Sequence, residues 1–309
     1  MRIAVVGAGT MGQLFGILLI DAGHDVVMID ASPQRLHAIR RDGMTLCLGE
    51  TVTHVDSRAE HAADVHDPVE LVLLFTKTMH SEAALASVTH LVGEQTVGLS
   101  VQNGLGNERP LLAYFGPDRT VIGVTDYPAD RGADGVITSA GAGSVILGGL
   151  TPASAGRAER LAGVLSAAGF TAESAADIMV PIWEKVIFNA VMNTVSATTG
   201  LTVGAMGAEA PAQVLGEGVL SECFAVAEAH RVRFHEGRVQ DKLAVAFREH
   251  GEHKTSMLQD VEAGRATEIE GIGGAIVRAG AERGIPTPVL TTLSNVVRLR
   301  TVAAQDGRG

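Results

Sequence analysis

The chain has 309 residues, a formal net charge of −11 and a pI near 5.4, an acidic balance that argues against nucleic acid or an anionic membrane surface as a partner. Its two cysteines, Cys47 and Cys223, stand in no metal-like spacing, which excludes a disulfide framework and suits a reducing cytosol. Scarce aromatics and 37 glycines fit a tightly packed α/β enzyme of two ordinary domains better than a β-sandwich.

The N-terminus has one Arg and runs directly into a strand, so no signal peptide is expected. No apolar run reaches membrane-spanning length, because Gly16–Ile20 is stopped by Asp21. A cytoplasmic protein is the expectation.

Arg2–Val6 reads as a strand buried on both faces, as in a parallel sheet. Gly7-Ala8-Gly9-Thr10-Met11-Gly12 follows at once, then a helical run Gln13–Ala22 and a second strand, Asp25–Ile29, ending at Asp30. This strand, glycine turn, helix and strand, with an acid 18 residues after the last glycine, is the pattern of a dinucleotide-binding unit. Gly7 permits the tight turn, Gly9 lets the backbone approach a pyrophosphate, and Gly12 lets the helix pack close to the strand. The helix N-terminus offers free N–H groups and partial positive charge to the phosphates. Gly7, Ala8, Gly9, Thr10, Met11 and Gly12 are therefore candidate cofactor contacts.

A carboxylate at the end of the second strand accepts hydrogen bonds from adenosine ribose hydroxyls and repels a 2′-phosphate, so Asp30 favours NAD over NADP. The competing reading of Asp30 is a strand-end cap of the next helix. That helix, Pro33–Asp42, is capped by Ser32 and carries Arg35. Thr45–Val55 alternates like a hairpin. Strands at Leu71–Phe75 and Val97–Val101 follow, the first leading into Lys77 and a helix Ser81–Leu91, the second into Gln102-Asn103-Gly104. Ligands in open parallel sheets bind outside the carboxyl ends of strands, which makes Lys77 and Asn103 candidate contacts. A plain tight turn is the competing account of Asn103-Gly104.

Val121–Gly149 reads as an antiparallel extension of the sheet, Ala155–Ala168 as a helix and Phe170–Ser174 as a last strand. Beyond Ile178 the pattern is helical throughout, over 178–199, 211–231, 236–249, 255–264, 267–283 and 288–303, with a loose tail at Gln305–Gly309. The change of period near 175 divides the chain into a Rossmann-type doubly wound α/β domain, 1–175, and an all-α domain, 176–309.

Within the first of these later helices, the stretch Trp183–Asn193 is apolar over most of its surface and carries Lys185, Asn189 and Asn193 at a spacing of four. Residues four apart lie only about 40° apart around a helix, so the three form one narrow stripe. One ammonium and two carboxamides on an apolar helix suit a buried polar wall with a proton donor; a solvated amphipathic face is the bland alternative.

Three segments together resemble the ketopantoate reductase (2-dehydropantoate 2-reductase) family: Val101-Gln-Asn-Gly-Leu-Gly106; Trp183-Glu-Lys with Asn189 and Asn193; and Thr255-Ser-Met-Leu-Gln-Asp260 with Glu262–Ile269, continuing to Pro286-Thr-Pro288. The resemblance spans essentially the whole chain. It implies that Lys185 is the general acid that protonates the carbonyl oxygen during hydride transfer. It implies that Asn189, Asn193 and Ser256 hold the substrate and that Asn103 lies between substrate and cofactor. It places Glu268 against the reacting pair and Lys77 along the cofactor. The implied activity is NAD(P)H-dependent reduction of a 2-oxo acid, 2-dehydropantoate to pantoate, as in pantothenate biosynthesis. Desolvation of the ammonium in such a wall eases proton release.

The chain departs from the family pattern at several points. NADP is usual in the family, and many members carry a basic residue where Asp30 stands; a further substrate asparagine would fall near Val203; and the usual Ile-Asn-Gly is Ile272-Gly-Gly274. These departures keep open an NAD-dependent D-2-hydroxyacid dehydrogenase acting on branched or aromatic 2-oxo acids. A non-catalytic dinucleotide-sensing regulator is the alternative of a different class, though it needs neither the stripe nor Glu268.

No metal site is expected. His230, His235, His250 and His253, with Glu236 and Glu249, match no zinc spacing. No Gly-x-Ser-x-Gly elbow with triad partners points to a hydrolase. The expected partner is a small 2-oxo acid; the oligomeric state stays open, with a homodimer among the options.

Overall fold

The structure, a computed structural model, describes residues 1–141, 143–249 and 251–307, with the side chain of Glu236 also outside the described set. The chain forms two compact units. The first comprises Met1–Gln102 and Asn107–Ile178, the second Asn103–Gly106 and everything described from Met179 onward.

In chain order the first unit contains β1 (Arg2–Val6), α1 (Thr10–Asp21), β2 (Asp25–Ile29), α2 (Pro33–Asp42), β3 (Met44–Leu48), β4 (Thr51–Val55), β5 (Arg58–Glu60) and β6 (Val69–Leu74). It continues with α3 (Ser81–Ser87), β7 (Val92–Ser100), α4 (Glu108–Phe115), β8 (Thr120–Thr125), β9 (Asp130–Arg131), β10 (Ile137–Ser139), β11 (Val145–Gly149), α5 (Pro152–Ala167) and β12 (Ala172–Ser174). Among the described residues the main sheet is eight-stranded, in the order β12-β11-β8-β7-β6-β1-β2-β5. From β5 to β8 every pairing is parallel, and the order reverses direction between β1 and β6, the switch point of a doubly wound fold. Strands buried on both faces need apolar residues without alternation, and Ile3, Ala4 and Val5 of β1 are fully buried.

The segment 121–149 is not one antiparallel extension. β8 joins the main sheet parallel to β7, and only β11 runs antiparallel to β8. β9 and β10 instead leave for a second, four-stranded sheet, β4-β3-β10-β9, built on the β3–β4 hairpin. That second sheet explains α1. The helix packs on β1 and β2 on one side and on β3, β4 and β10 on the other. Leu14, Phe15, Ile17 and Leu19 are all fully buried, the signature of a helix sandwiched between two apolar layers. Each such side chain contributes roughly 1.5–3 kcal/mol on burial. α1 also begins at Thr10, three residues before the expected start, because Gly9 takes the extended N-cap conformation.

The second unit contains α6 (Met179–Thr199), α7 (Val203–Ala208), α8 (Ala210–Ala229), α9 (Glu236–Glu249), α10 (Ser256–Glu262), α11 (Gly273–Arg283) and α12 (Pro288–Gln305). α6 is its axis, packed against α7, α8, α9, α10 and α12. Contact on several sides accounts for apolar residues buried around the helix, with Ile187, Ala190 and Val195 fully buried. Both ends of this packing are tied by charged side chains. Arg300 donates to the carbonyls of Ala197 and Thr198 at the end of α6, at 2.6 and 3.0 Å. The Glu222 carboxylate accepts the N–H groups of Val289 and Leu290 at the start of α12, at 2.7 and 2.9 Å.

The helix expected over 267–283 begins only at Gly273. Residues 268–272 form a bend and turns, although Ile269, Ile272 and Ile276 are buried with helix-like spacing. The Gly271 carbonyl, which a continuing helix would use internally, accepts the N–H of Leu105 at 3.0 Å. Among the described residues no helix is long and apolar enough to cross a membrane.

Candidate active site

In the first unit the glycine turn joins β1 to α1 beside the switch point. Its glycines are required for three different reasons. Gly7 has φ +103°, and a Cβ there would lie 2.6 Å from the Thr76 nitrogen at the end of β6. A Cβ on Gly12 would overlap the carbonyl oxygen of Gly7, so this glycine lets α1 approach the turn. Gly9 is different. Its φ of −71° and ψ of −170° suit any residue, and a Cβ there would meet no protein atom within 4 Å. Packing within the chain gives no reason for glycine at position 9. An open backbone at a helix N-terminus, with first-turn N–H groups lacking intrahelical acceptors, fits the close approach of a pyrophosphate.

The turn is stitched to the end of β2. Gly7 N–H donates to the Ile29 carbonyl at 2.8 Å, and Ala8 N–H to Asp30 Oδ2 at 2.8 Å. Asp30 Oδ1 accepts the N–H of Ser32 at 2.8 Å, and Arg35 Nη1 lies 2.7 Å from Oδ2. The carboxylate thus serves as a brace for the glycine turn and for the approach to α2, while Ser32 Oγ caps that helix by accepting Arg35 N–H at 3.3 Å.

Lys77 is half-buried beyond the end of β6, and its carbonyl accepts the N–H of His80 at 2.8 Å. Thr76, Ser81 and Ser100 converge on the side chain of Gln102, a cluster that the sequence pattern did not single out. Its only sequence signal is a glutamine and small hydroxyl residues at the ends of two strands, and their pairing is long-range.

In the second unit, Lys185 and Asn189 are half-buried on α6 and Asn193 is buried, with Trp183, Val186 and Ile187 buried beside them. Asn103 Nδ2 donates to Glu268 Oε2 in a long hydrogen bond of 3.4 Å. Gly104 has φ +109°, and a Cβ there would overlap the Gly271 carbonyl, so the Asn103–Gly106 segment lies tightly against the Glu268–Ile272 turn. Ser256 is exposed as the first residue of α10, whose cap is the neighbouring Thr255, its Oγ1 accepting Leu258 N–H at 3.3 Å. Among the described residues no group of three or more His, Cys, Asp or Glu is placed to hold a metal ion. Of the histidines considered for one, His230 bonds the Ala279 carbonyl at 2.9 Å, and His250 and the Glu236 side chain lie outside the described residues.

Two family models match the chain: Ketopantoate reductase PanE/ApbA over residues 3–152, and its C-terminal counterpart over 177–301. The 2-dehydropantoate 2-reductase of Lactococcus lactis subsp. lactis is 30% identical, over 96% of this chain and 97% of that protein. The enzyme of that name from Halobacterium salinarum is 31% identical, over 99% of this chain and all of that one. Among solved structures, a ternary complex of D-mandelate dehydrogenase with NADH and anilino(oxo)acetate superposes with a TM-score of 0.93 at 28% identity, covering 98% of this chain and 99% of that one. With matches that run nearly end to end, a doubly wound sheet bearing an open glycine turn and a helical second unit, the chain belongs to the ketopantoate reductase family and is an NAD(P)-dependent oxidoreductase.

Proposed function

We propose that the chain reduces a 2-oxo acid to a 2-hydroxy acid with NADH or NADPH, and that the acid is 2-dehydropantoate, the product pantoate. The observation that carries this reading is the stripe on α6. One ammonium and two carboxamides, buried or half-buried, occupy one face of a helix that is packed on several sides and whose neighbouring residues Trp183, Val186, Ile187 and Ala190 are buried and apolar. Relatives named 2-dehydropantoate 2-reductase support the choice of substrate.

When bound, the reduced nicotinamide supplies the hydride. Negative charge then develops on the carbonyl oxygen of the substrate, and Lys185 Nζ donates the proton that completes the alcohol, a contribution of roughly 10²–10⁴-fold for a positioned general acid. Asn189 and Asn193 hold substrate oxygens without adding charge, and the Ser256 hydroxyl donates to the substrate carboxylate. Asn103 and Glu268 orient the reacting groups. In the first unit, the N–H groups of Gly9–Gly12 at the start of α1 bind the pyrophosphate, Gly7 and Ala8 shape the turn around it, Asp30 receives ribose hydroxyls and Lys77 contacts the dinucleotide.

A second reading, an NAD-dependent D-2-hydroxyacid dehydrogenase for branched or aromatic 2-oxo acids, draws on two observations. The residue after β2 is an acid, and Val203 is buried at the start of α7, where the family pattern has a polar substrate contact. The likeness to D-mandelate dehydrogenase adds support.

The test follows loss of reduced-nicotinamide absorbance with NADH and NADPH separately, against 2-dehydropantoate and a panel of branched and aromatic 2-oxo acids. The proposal expects 2-dehydropantoate to give the highest kcat/KM. A higher value with an aromatic acid selects the second reading, and dinucleotide binding without turnover on any acid points to a sensor.

A further inference from the structure

Gln102 stands two residues beyond the end of β7, and every polar atom of its side chain is engaged. Nε2 donates to the Thr76 carbonyl and to Ser81 Oγ, the latter at 3.0 Å. Oε1 accepts the Ser100 hydroxyl at 2.8 Å. A carboxamide has two N–H donors, and both are used here. The opposite orientation of the amide would set its oxygen against the Thr76 carbonyl, two acceptors facing each other, so the hydrogen bonding itself selects this one. The backbone joins in: Gln102 N–H donates to Ser100 Oγ at 3.2 Å, and its carbonyl accepts Asn107 Nδ2 at 3.0 Å. Ser81 and Ser100 are each 1% exposed, while Gln102 and Thr76 are half-buried.

Its position gives it consequence. Thr76 and Ser81 are the two feet of the short excursion 77–80, which runs from the end of β6 to the start of α3. Thr76 is wedged against the glycine turn, since its nitrogen is the atom a Cβ on Gly7 would strike, and Phe75 N–H donates to the Val6 carbonyl at 2.7 Å. One side chain just beyond β7 therefore pins both feet of a loop that begins beside the turn at the switch point. Lys77 is the first residue of that loop.

We propose that Gln102 is a positioning residue for the dinucleotide: by holding Thr76 and Ser81 together it fixes the path of residues 77–80 and so aims Lys77. This rests on the reading of Lys77 as a dinucleotide contact. A tie with a purely structural role would lower stability but act on affinity independently of Lys77. A positioning role makes the two residues act as one.

The test is a double-mutant cycle on NADH and NADPH affinity, read by nicotinamide fluorescence, with melting temperatures alongside. Its variants are Lys77→Ala, Gln102→Met and the pair together, in the full chain. The expected result is a loss of about tenfold for each single variant and about the same loss for the pair, far from the product of the two. Losses that multiply overturn the positioning role and leave Lys77 as a contact. Unchanged affinity in Gln102→Met overturns it likewise. Unchanged affinity in Lys77→Ala removes the lysine's role, and the proposal falls with it. Should Gln102→Met not fold, Ser81→Ala frees one foot alone and takes its place in the same cycle, with the same non-additivity expected.

Discussion

Arg35 Nη1 stands 2.7 Å from Asp30 Oδ2, and the same oxygen accepts the N–H of Ala8 in the glycine turn at 2.8 Å. The acid read as a ribose acceptor is thus also a brace, and a cation a third exposed stands beside it. The pair should govern cofactor choice from opposite sides. Arg35→Ala is expected to weaken NADPH binding by about tenfold, roughly 1.4 kcal/mol, with NADH less affected, because it removes the positive charge that can face a 2′-phosphate. Asp30→Ala should weaken NADH more than NADPH and lower affinity for both through the loosened turn. Titration of each variant with both dinucleotides checks this; equal losses for the two cofactors in Arg35→Ala would count against a selective cation.

Two glycines of the same turn should respond in opposite ways to one methyl group. A Cβ on Gly12 overlaps the Gly7 carbonyl, so Gly12→Ala is expected to destabilise the fold by more than 1 kcal/mol as the α1–β1 approach is forced apart. Gly9 has ordinary dihedrals and open space, so Gly9→Ala should leave the melting temperature unchanged or raise it, by up to about 1 kcal/mol in stability. Its dinucleotide affinity should nevertheless fall. Thermal melts paired with NAD(P)H titrations separate the two effects, and full affinity in Gly9→Ala would show that the open backbone there serves no phosphate.

Lys185→Ala should cost turnover at least about two orders of magnitude while dinucleotide affinity stays near that of the wild type, as expected when a general acid is removed. Lys185→Arg should not restore it, since a guanidinium does not release its proton near neutrality. Single-turnover measurement of nicotinamide oxidation is the check, and retained turnover in the alanine variant would remove the proposed acid.

The two cysteines should differ sharply toward a thiol reagent. Burial, with the nearby Glu222 charge adding to it, pushes the Cys223 thiol far above its ordinary range and keeps reagents out, whereas Cys47 is half-buried. Native protein should therefore label at no more than Cys47, and Cys223 should react only on unfolding. Counting labelled thiols by mass spectrometry with and without denaturant gives the answer; rapid native labelling of Cys223 would mean that α8 opens.

Local pattern carried much of the architecture. The unbroken apolar run of β1, the glycine turn, the ten residues of α2 behind Ser32-Pro33, and the boundaries of α9 were legible because each rests on neighbours in the chain. The Lys185–Asn189–Asn193 stripe was legible for the same reason, since helix geometry alone places those residues on one face. The turn over 268–272 was not, because Ile269, Ile272 and Ile276 satisfy a helical period whether or not the backbone follows it. Nor was the departure of β9 and β10 to a second sheet, which depends on a partner ninety residues earlier in the chain.

Spacing and residue type thus marked the segments whose structure rests on chain neighbours: β1 and its glycine turn, α2, α9 and the helix that holds the Lys185 amine. Folding alone determined what those groups meet: that Asp30 spends part of its charge on Arg35 and Ala8, that α1 is enclosed by two sheets, and that Gln102 reaches Thr76 and Ser81. Chain neighbours interact in nearly any fold that forms the element, so their pattern is visible in one dimension. Hydrogen bonds between residues 20 or more apart exist only once the strands have paired, and their geometry is a property of that pairing.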